Sequence, residues 1–312
     1  METFRQLGIP IDMMYFTVKV GAQIILVSLG VCGNLFTVYS VLSKSKLHRV
    51  TNIFIIVISM ALIAQSLNAS IDLRNHWQNK PYYALDPEWC KMWQTMNIYM
   101  PSMMAFLCFF AILDRYLILE HPAIHGKIMN SFSAVGMVLL SIAYPAVVAI
   151  PPIYLNWHTK DPNMPYGECK FKITLQYAFL SPLATFWFPM ILDIIVMVKL
   201  FKAMERHDKA LAVMMMNRGT MLTKAQEAAI ESAAKALPWG EDQIRRQHRL
   251  AITLWSIYWN ISIFWIPNHV WLVIHRITMA NWPRATNFMP WFGCMPSAIL
   301  PGVLWYYNIY QV

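Results

Sequence analysis

Seven windows of membrane length carry no Asp, Glu, Lys or Arg, at residues 20–43, 53–71, 92–113, 128–159, 173–192, 250–274 and 285–312. That pattern limits the chain more than any other feature. About 20 apolar residues cross the hydrocarbon core as a helix, which bonds its own backbone groups where no water is present. The expectation is an all-α membrane protein, a seven-transmembrane helix bundle forming one domain over 1–312. Its spans should lie near 16–43, 52–75, 90–119, 129–155, 173–206, 243–276 and 285–310, with a third inner loop at 208–242. Composition agrees: 13% of the residues are charged and 57% are hydrophobic, against about 25% charged in soluble domains. Met1–Tyr15 has neither the basic start nor the apolar core of a signal peptide, so the first span is expected to insert by itself.

Basic residues set the expected orientation. Lys44, Lys46 and Arg49 lie between spans one and two, and ten Lys and Arg residues from Lys199 to Arg249 collect between spans five and six. The alternate loops mix signs, with Asp72, Arg74, Lys80, Asp86 and Glu88, then Lys160, Asp161, Glu168 and Lys170. Loops one and three therefore face the cytoplasm, and the amino terminus lies outside, in the plasma membrane. The net charge of +9 is read as a match to anionic lipid and not as a nucleic-acid patch. Of the five cysteines, Cys32, Cys108 and Cys294 fall within spans as small hydrophobes. Cys90 and Cys169 fall on the oxidising side, as a disulfide or as two unpaired thiols.

Prolines punctuate the spans at Pro101, Pro145, Pro182, Pro189, Pro267, Pro296 and Pro301. In lipid they mark kinks, because neighbouring helices satisfy the carbonyls they free. The segment TKAQEAAIESAAKAL of the third inner loop is rich in helix formers and reads as a helical linker.

Asp114-Arg115-Tyr116 closes the third apolar window, and an ionisable pair at such a depth is a functional hypothesis. It lies 24 residues past Cys90. Together with Gly33-Asn34, Phe264-Trp265-Ile266-Pro267 and Pro301, it makes the chain resemble the rhodopsin-like family of G-protein-coupled receptors. Finer details resemble the amine receptors, in particular their muscarinic acetylcholine branch: Pro165-Tyr166-Gly167-Glu168-Cys169, Trp93, Trp291 and Thr51-Asn52. The resemblance implies a small extracellular ligand, amine-like or neutral, held by Trp93, Asn97, Trp265, Asn268, His269 and Trp291. It also implies a heterotrimeric G protein read by Asp114, Arg115 and Tyr116, hinges at Pro189, Pro267 and Pro301, no enzyme activity and no cofactor.

Departures from the family pattern are as informative. Where amine receptors carry an aspartate seven residues after the span-three cysteine, this chain has Asn97. A buried ammonium without a counter-ion forgoes on the order of several kcal/mol, and aromatic rings return only about 0.5–2 kcal/mol each. Leu62, Met197, Gln247, Leu300 and Leu304 occupy positions where the resemblance implies an aspartate, a tyrosine, an acid, an asparagine and a tyrosine. A polar network linking pocket to inner face is thus largely apolar, and a receptor-shaped scaffold with impaired signalling stands as the alternative reading. Asp193 sits inside span five as a packed, protonated carboxyl or a functional group. His269 reads as a ligand or pH-sensing residue, or as a neutral structural one. No phosphate loop, metal-spaced His/Cys cluster or Ser/His/Asp set stands out.

Overall fold

The computed structural model describes residues 11–43, 50–77, 87–155, 158–160, 171–216, 241–278 and 292–307. Six helices among these are long and apolar enough to cross a membrane. They lie within Ile11–Ser43 (span one), Val50–Trp77 (span two), Pro87–Glu120 (span three), Ser131–Ala149 (span four), Leu175–Met216 (span five) and Glu241–Thr278 (span six). Span seven is described as the helix Met295–Tyr306. A short helix, Pro122–Ile128, joins spans three and four. Two strands, β1 (His158–Lys160) and β2 (Phe171–Ile173), pair antiparallel between spans four and five. The fold is a seven-helix bundle.

Span three is the axis of the packing, touching spans two, four, five and six, while span seven packs on spans one, two and six. Of the apolar stretch of span three, 72% is buried, against 22% for spans one and four. Those two spans instead present large apolar side chains outward, among them Phe36, Phe132, Leu139 and Val147. In water such a surface would be a liability; in hydrocarbon it costs nothing, so the bilayer completes the fold.

Close helix approach is bought with small residues. A Cβ added at Gly33 would stand 2.6 Å from Pro301 Cγ, and one added at Gly30 would stand 2.3 Å from Ser66 Oγ. Asn34 exploits this closeness, its Nδ2 donating to the carbonyl of Gly30 at 2.7 Å and that of Ser297 at 2.8 Å. Ser66 and Ser297 hydroxyls meet at 2.9 Å one layer away. The Gly33-Asn34 pair thus fixes span one to span seven, and Gly30 with Ser66 brings span two against both.

Span five carries a local rewinding. Pro189 cannot donate to the ladder, and just before it Leu183–Trp187 winds as a π segment, closed by Phe188 N–H on the Leu183 carbonyl. The extra residue turns Phe186 fully inward (1% exposed). Thr185, beside it, accepts from Ser102 of span three at 2.8 Å.

Candidate functional site

At one end of the bundle, Asp114 and Arg115 are buried, with 0% and 3% of their surface exposed. Arg115 Nε and Nη2 both donate to Asp114 Oδ2, at 3.0 and 2.6 Å. Its Nη1 donates to Gln247 Oε1 of span six at 2.9 Å. The guanidinium therefore bridges spans three and six. The family's acid is absent, yet the amide oxygen of Gln247 still takes the arginine, as a neutral acceptor of a charged donor.

The other oxygen of Asp114 is also engaged. His125 Nε2 lies 2.9 Å from Asp114 Oδ1. Pro122 starts the helix carrying His125, its fixed φ suiting the first helical position, and this short helix folds back beneath span three. The ring of Tyr116 meets that of His121 edge-on, with centroids 5.9 Å apart. Sequence reading missed His125; the signal was a histidine set a fixed eleven residues beyond the aspartate, next to a helix-starting proline. Nearby, Arg206 of span five pairs with Glu120, and His207 Nε2 lies 3.2 Å from the Leu119 carbonyl. Spans five and six are thus both tied to this end of span three.

Leu62, Met197, Leu300 and Leu304 all lie at 0–1% exposure in one core cluster with Ile112, Leu254 and Ile257. The polar path expected of the family is packed hydrocarbon here. Ser256 and Tyr307, which bond at 3.2 Å, still join spans six and seven.

Towards the opposite end, Trp265 and His269 are each 1% exposed on one face of span six, ring centroids 6.1 Å apart. Phe186 lies against His269 at 4.3 Å. Among the described residues, neither nitrogen of His269 has a hydrogen-bond partner, nor does Trp265 Nε1. Asn97 is half-buried on span three, and its Oδ1 accepts from Gln65 Nε2 at 3.2 Å and Asn68 Nδ2 at 3.3 Å. Asn268 is half-buried on span six. The backbone of Trp93 lies in span three, but its side chain, like the whole of Trp291, lies outside the described residues. The same holds for the Cys90 thiol and for Cys169. Of the hinge candidates, Pro189 is buried and Pro267 and Pro301 half-buried, each within a continuous helix.

Asp193 is 1% exposed, and neither of its oxygens has a hydrogen-bond partner among the described residues. The nearby Tyr258 hydroxyl donates instead to the Met190 carbonyl at 3.3 Å. An orphaned buried polar group costs about 1–3 kcal/mol, so Asp193→Leu is expected to stabilise the protein by about that much. Thermal unfolding in detergent checks the sign; a lower midpoint would mean that the carboxyl has a partner in the folded state.

A family model, the 7 transmembrane receptor (rhodopsin family), matches residues 33–303. The chain belongs to that family. This rhodopsin-family chain is similar to octopamine receptor beta-2R of Drosophila melanogaster, at 23% identity over 96% of its own length and 60% of the relative's. It is also similar to octopamine receptor beta-1R of that organism, at 24% identity over 89% of the chain and 56% of the relative. A third relative is the alpha-1A adrenergic receptor of Oryzias latipes, at 24% identity over 89% of the chain and 61% of the relative. The chain thus spans less than two thirds of the length of these relatives. They are receptors and not enzymes. They do not support the muscarinic detail of the sequence reading, whose loop, 165–169, lies outside the described residues. The wide family match over the switch region also does not favour the scaffold alternative.

Proposed function

We propose that the protein is an integral plasma-membrane receptor that converts binding of a small extracellular molecule into nucleotide exchange on a heterotrimeric G protein. The observation that supports this most is that span six carries both ends of the device. Trp265 and His269 lie towards one end, Gln247 holds Arg115 at the other, and one continuous helix carries all three, with Pro267 between Trp265 and His269. A ligand that favours one tilt of span six changes the population in which Arg115 is released. The pocket draws on Trp93, Asn97, Trp265, Asn268, His269 and Trp291; Asp114, Arg115 and Tyr116 form the switch at the cytoplasmic face. Pro189, Pro267 and Pro301 are the flexing points, and the amino terminus is extracellular. The relatives' names put small amines such as octopamine among the first molecules to try.

The test is guanine-nucleotide exchange by purified heterotrimers with the full chain in lipid nanodiscs. The expected result is exchange above that of empty discs, lost in Arg115→Ala. Equal rates for wild type, Arg115→Ala and empty discs, across amines and their neutral analogues, would overturn the reading.

A further inference from the structure

We infer that the Asp193 carboxyl and the Tyr258 hydroxyl form a two-position switch in the core: apart in the arrangement seen here, they bond once span six shifts, and so favour the open state. The existence of that second state is taken from the receptor reading, on which the inference rests.

Asp193 of span five is 1% exposed, and both its oxygens lack a hydrogen-bond partner among the described residues. Spans three, five and six are joined by one buried apolar cluster that includes Cys108, Met190, Met197, Tyr258 and Ile261. Buried polar groups are nearly always bonded, and an unmet one destabilises only the states in which it stays unmet. An acid kept in such a core is accounted for if another arrangement of the same helices satisfies it.

The donor that does so is one helical turn away. Tyr258 of span six is 3% exposed, and its hydroxyl donates to the Met190 carbonyl at 3.3 Å, a long contact for an O–H donor. Met190 and Asp193 are three residues apart, on one face of the helix and about 4.5 Å apart along its axis. Asp193 lies within electrostatic reach of Tyr258 and of Cys108 in span three. The phenol is the stronger donor of the two, because a thiol donates weakly. A carboxyl accepts from a phenol in either protonation state. Met190 lies inside the continuous helix Phe188–Met216, so its carbonyl keeps a ladder bond when the phenol leaves. Ser262, the other polar side chain beside the phenol, sits one turn along span six itself and moves with it.

The transfer needs a rotation of the Tyr258 side chain or a slide of span six by less than one turn, a smaller step than the one-turn ratchets of packed helices. Tyr258 lies between Gln247 and Pro267 on one helix, the helix whose release the proposed function requires. The closed state therefore has Arg115 bonded to span six and Asp193 unmet, and the open state has the reverse.

Populations of the two states are read without a G protein, by pulsed electron resonance between spin labels at Lys127 and Arg249, both exposed, in the full chain carrying Cys32→Ser and Gln247→Ala. Adding Asp193→Leu is expected to lower the ratio of the longer to the shorter separation about tenfold, the loss of one buried hydrogen bond that only the open state makes. Tyr258→Phe should lower it by a similar factor, and Asp193→Leu added to Tyr258→Phe should change it no further. Asp193→Asn keeps an acceptor and should retain most of the longer population. An unfolding midpoint raised by Asp193→Leu with the ratio unchanged would show a carboxyl unmet in both states and overturn the inference. Additive effects of Asp193→Leu and Tyr258→Phe, or a single short population in Gln247→Ala itself, would overturn it too. Nucleotide exchange by the same proteins separates the two claims. Distances that respond to Asp193 with no exchange by any variant end the signalling reading and leave the switch, whereas exchange with distances indifferent to Asp193 does the reverse.

Discussion

Asp114→Ala is expected to lower the stability of the protein by about 3–5 kcal/mol, the cost of stranding one member of a buried ion pair. Arg115 is 3% exposed and receives two of its contacts from Asp114 Oδ2. Without that carboxylate, the guanidinium loses the charge that compensates it and keeps its bond to the neutral Gln247 amide. A charge so placed favours any state in which it reaches water. Ligand-free nucleotide exchange should therefore rise as the unfolding midpoint falls. The same substitution strips His125 Nε2 of its carboxylate, loosening the short helix that follows span three. Thermal unfolding followed by tryptophan fluorescence reads the stability, and exchange on purified heterotrimers reads the activity. An unchanged midpoint would mean that the pair is solvated and structurally idle.

Gln247→Ala should leave the fold nearly as stable but raise ligand-free exchange by about tenfold or more. A hydrogen bond to a charged group contributes about 1.5–3 kcal/mol, and each 1.4 kcal/mol is about a factor of ten in population. In the proposed mechanism only the closed arrangement of spans three and six contains this bond, so its loss acts on that arrangement alone. Gln247→Glu has the opposite sign. It gives Arg115 a second carboxylate, strengthens the closed state and should reduce exchange below that of wild type. If both variants shift exchange in one direction, the amide is a packing element and not a latch.

The seven apolar windows and the terminal Asp114-Arg115 pair were legible in the sequence, because hydrocarbon solvent imposes length and charge rules on each helix separately. The replacement of polar positions by Leu62, Met197, Leu300 and Leu304 was legible too, and the packed cluster they form is the consequence. What stayed hidden depends on neighbouring helices. The amide of Gln247 taking Arg115 across 132 positions of chain could not be told from mere loss of an acid. The sequestering of the Asn97 oxygen by Gln65 and Asn68 is a tertiary arrangement, and so is the return of His125 to Asp114. The π segment at Leu183–Trp187 leaves no mark on apolar periodicity, since all its residues except Thr185 are apolar.

The central claim is that Arg115 holds span six closed against span three. Spin labels at Lys127 and Arg249, both exposed, report that separation by pulsed electron resonance in a Cys32→Ser background. The account predicts one short-distance population in wild type, a second and longer one in Gln247→Ala, and a single short one again in Gln247→Glu. Distance distributions that coincide in all three proteins would contradict it.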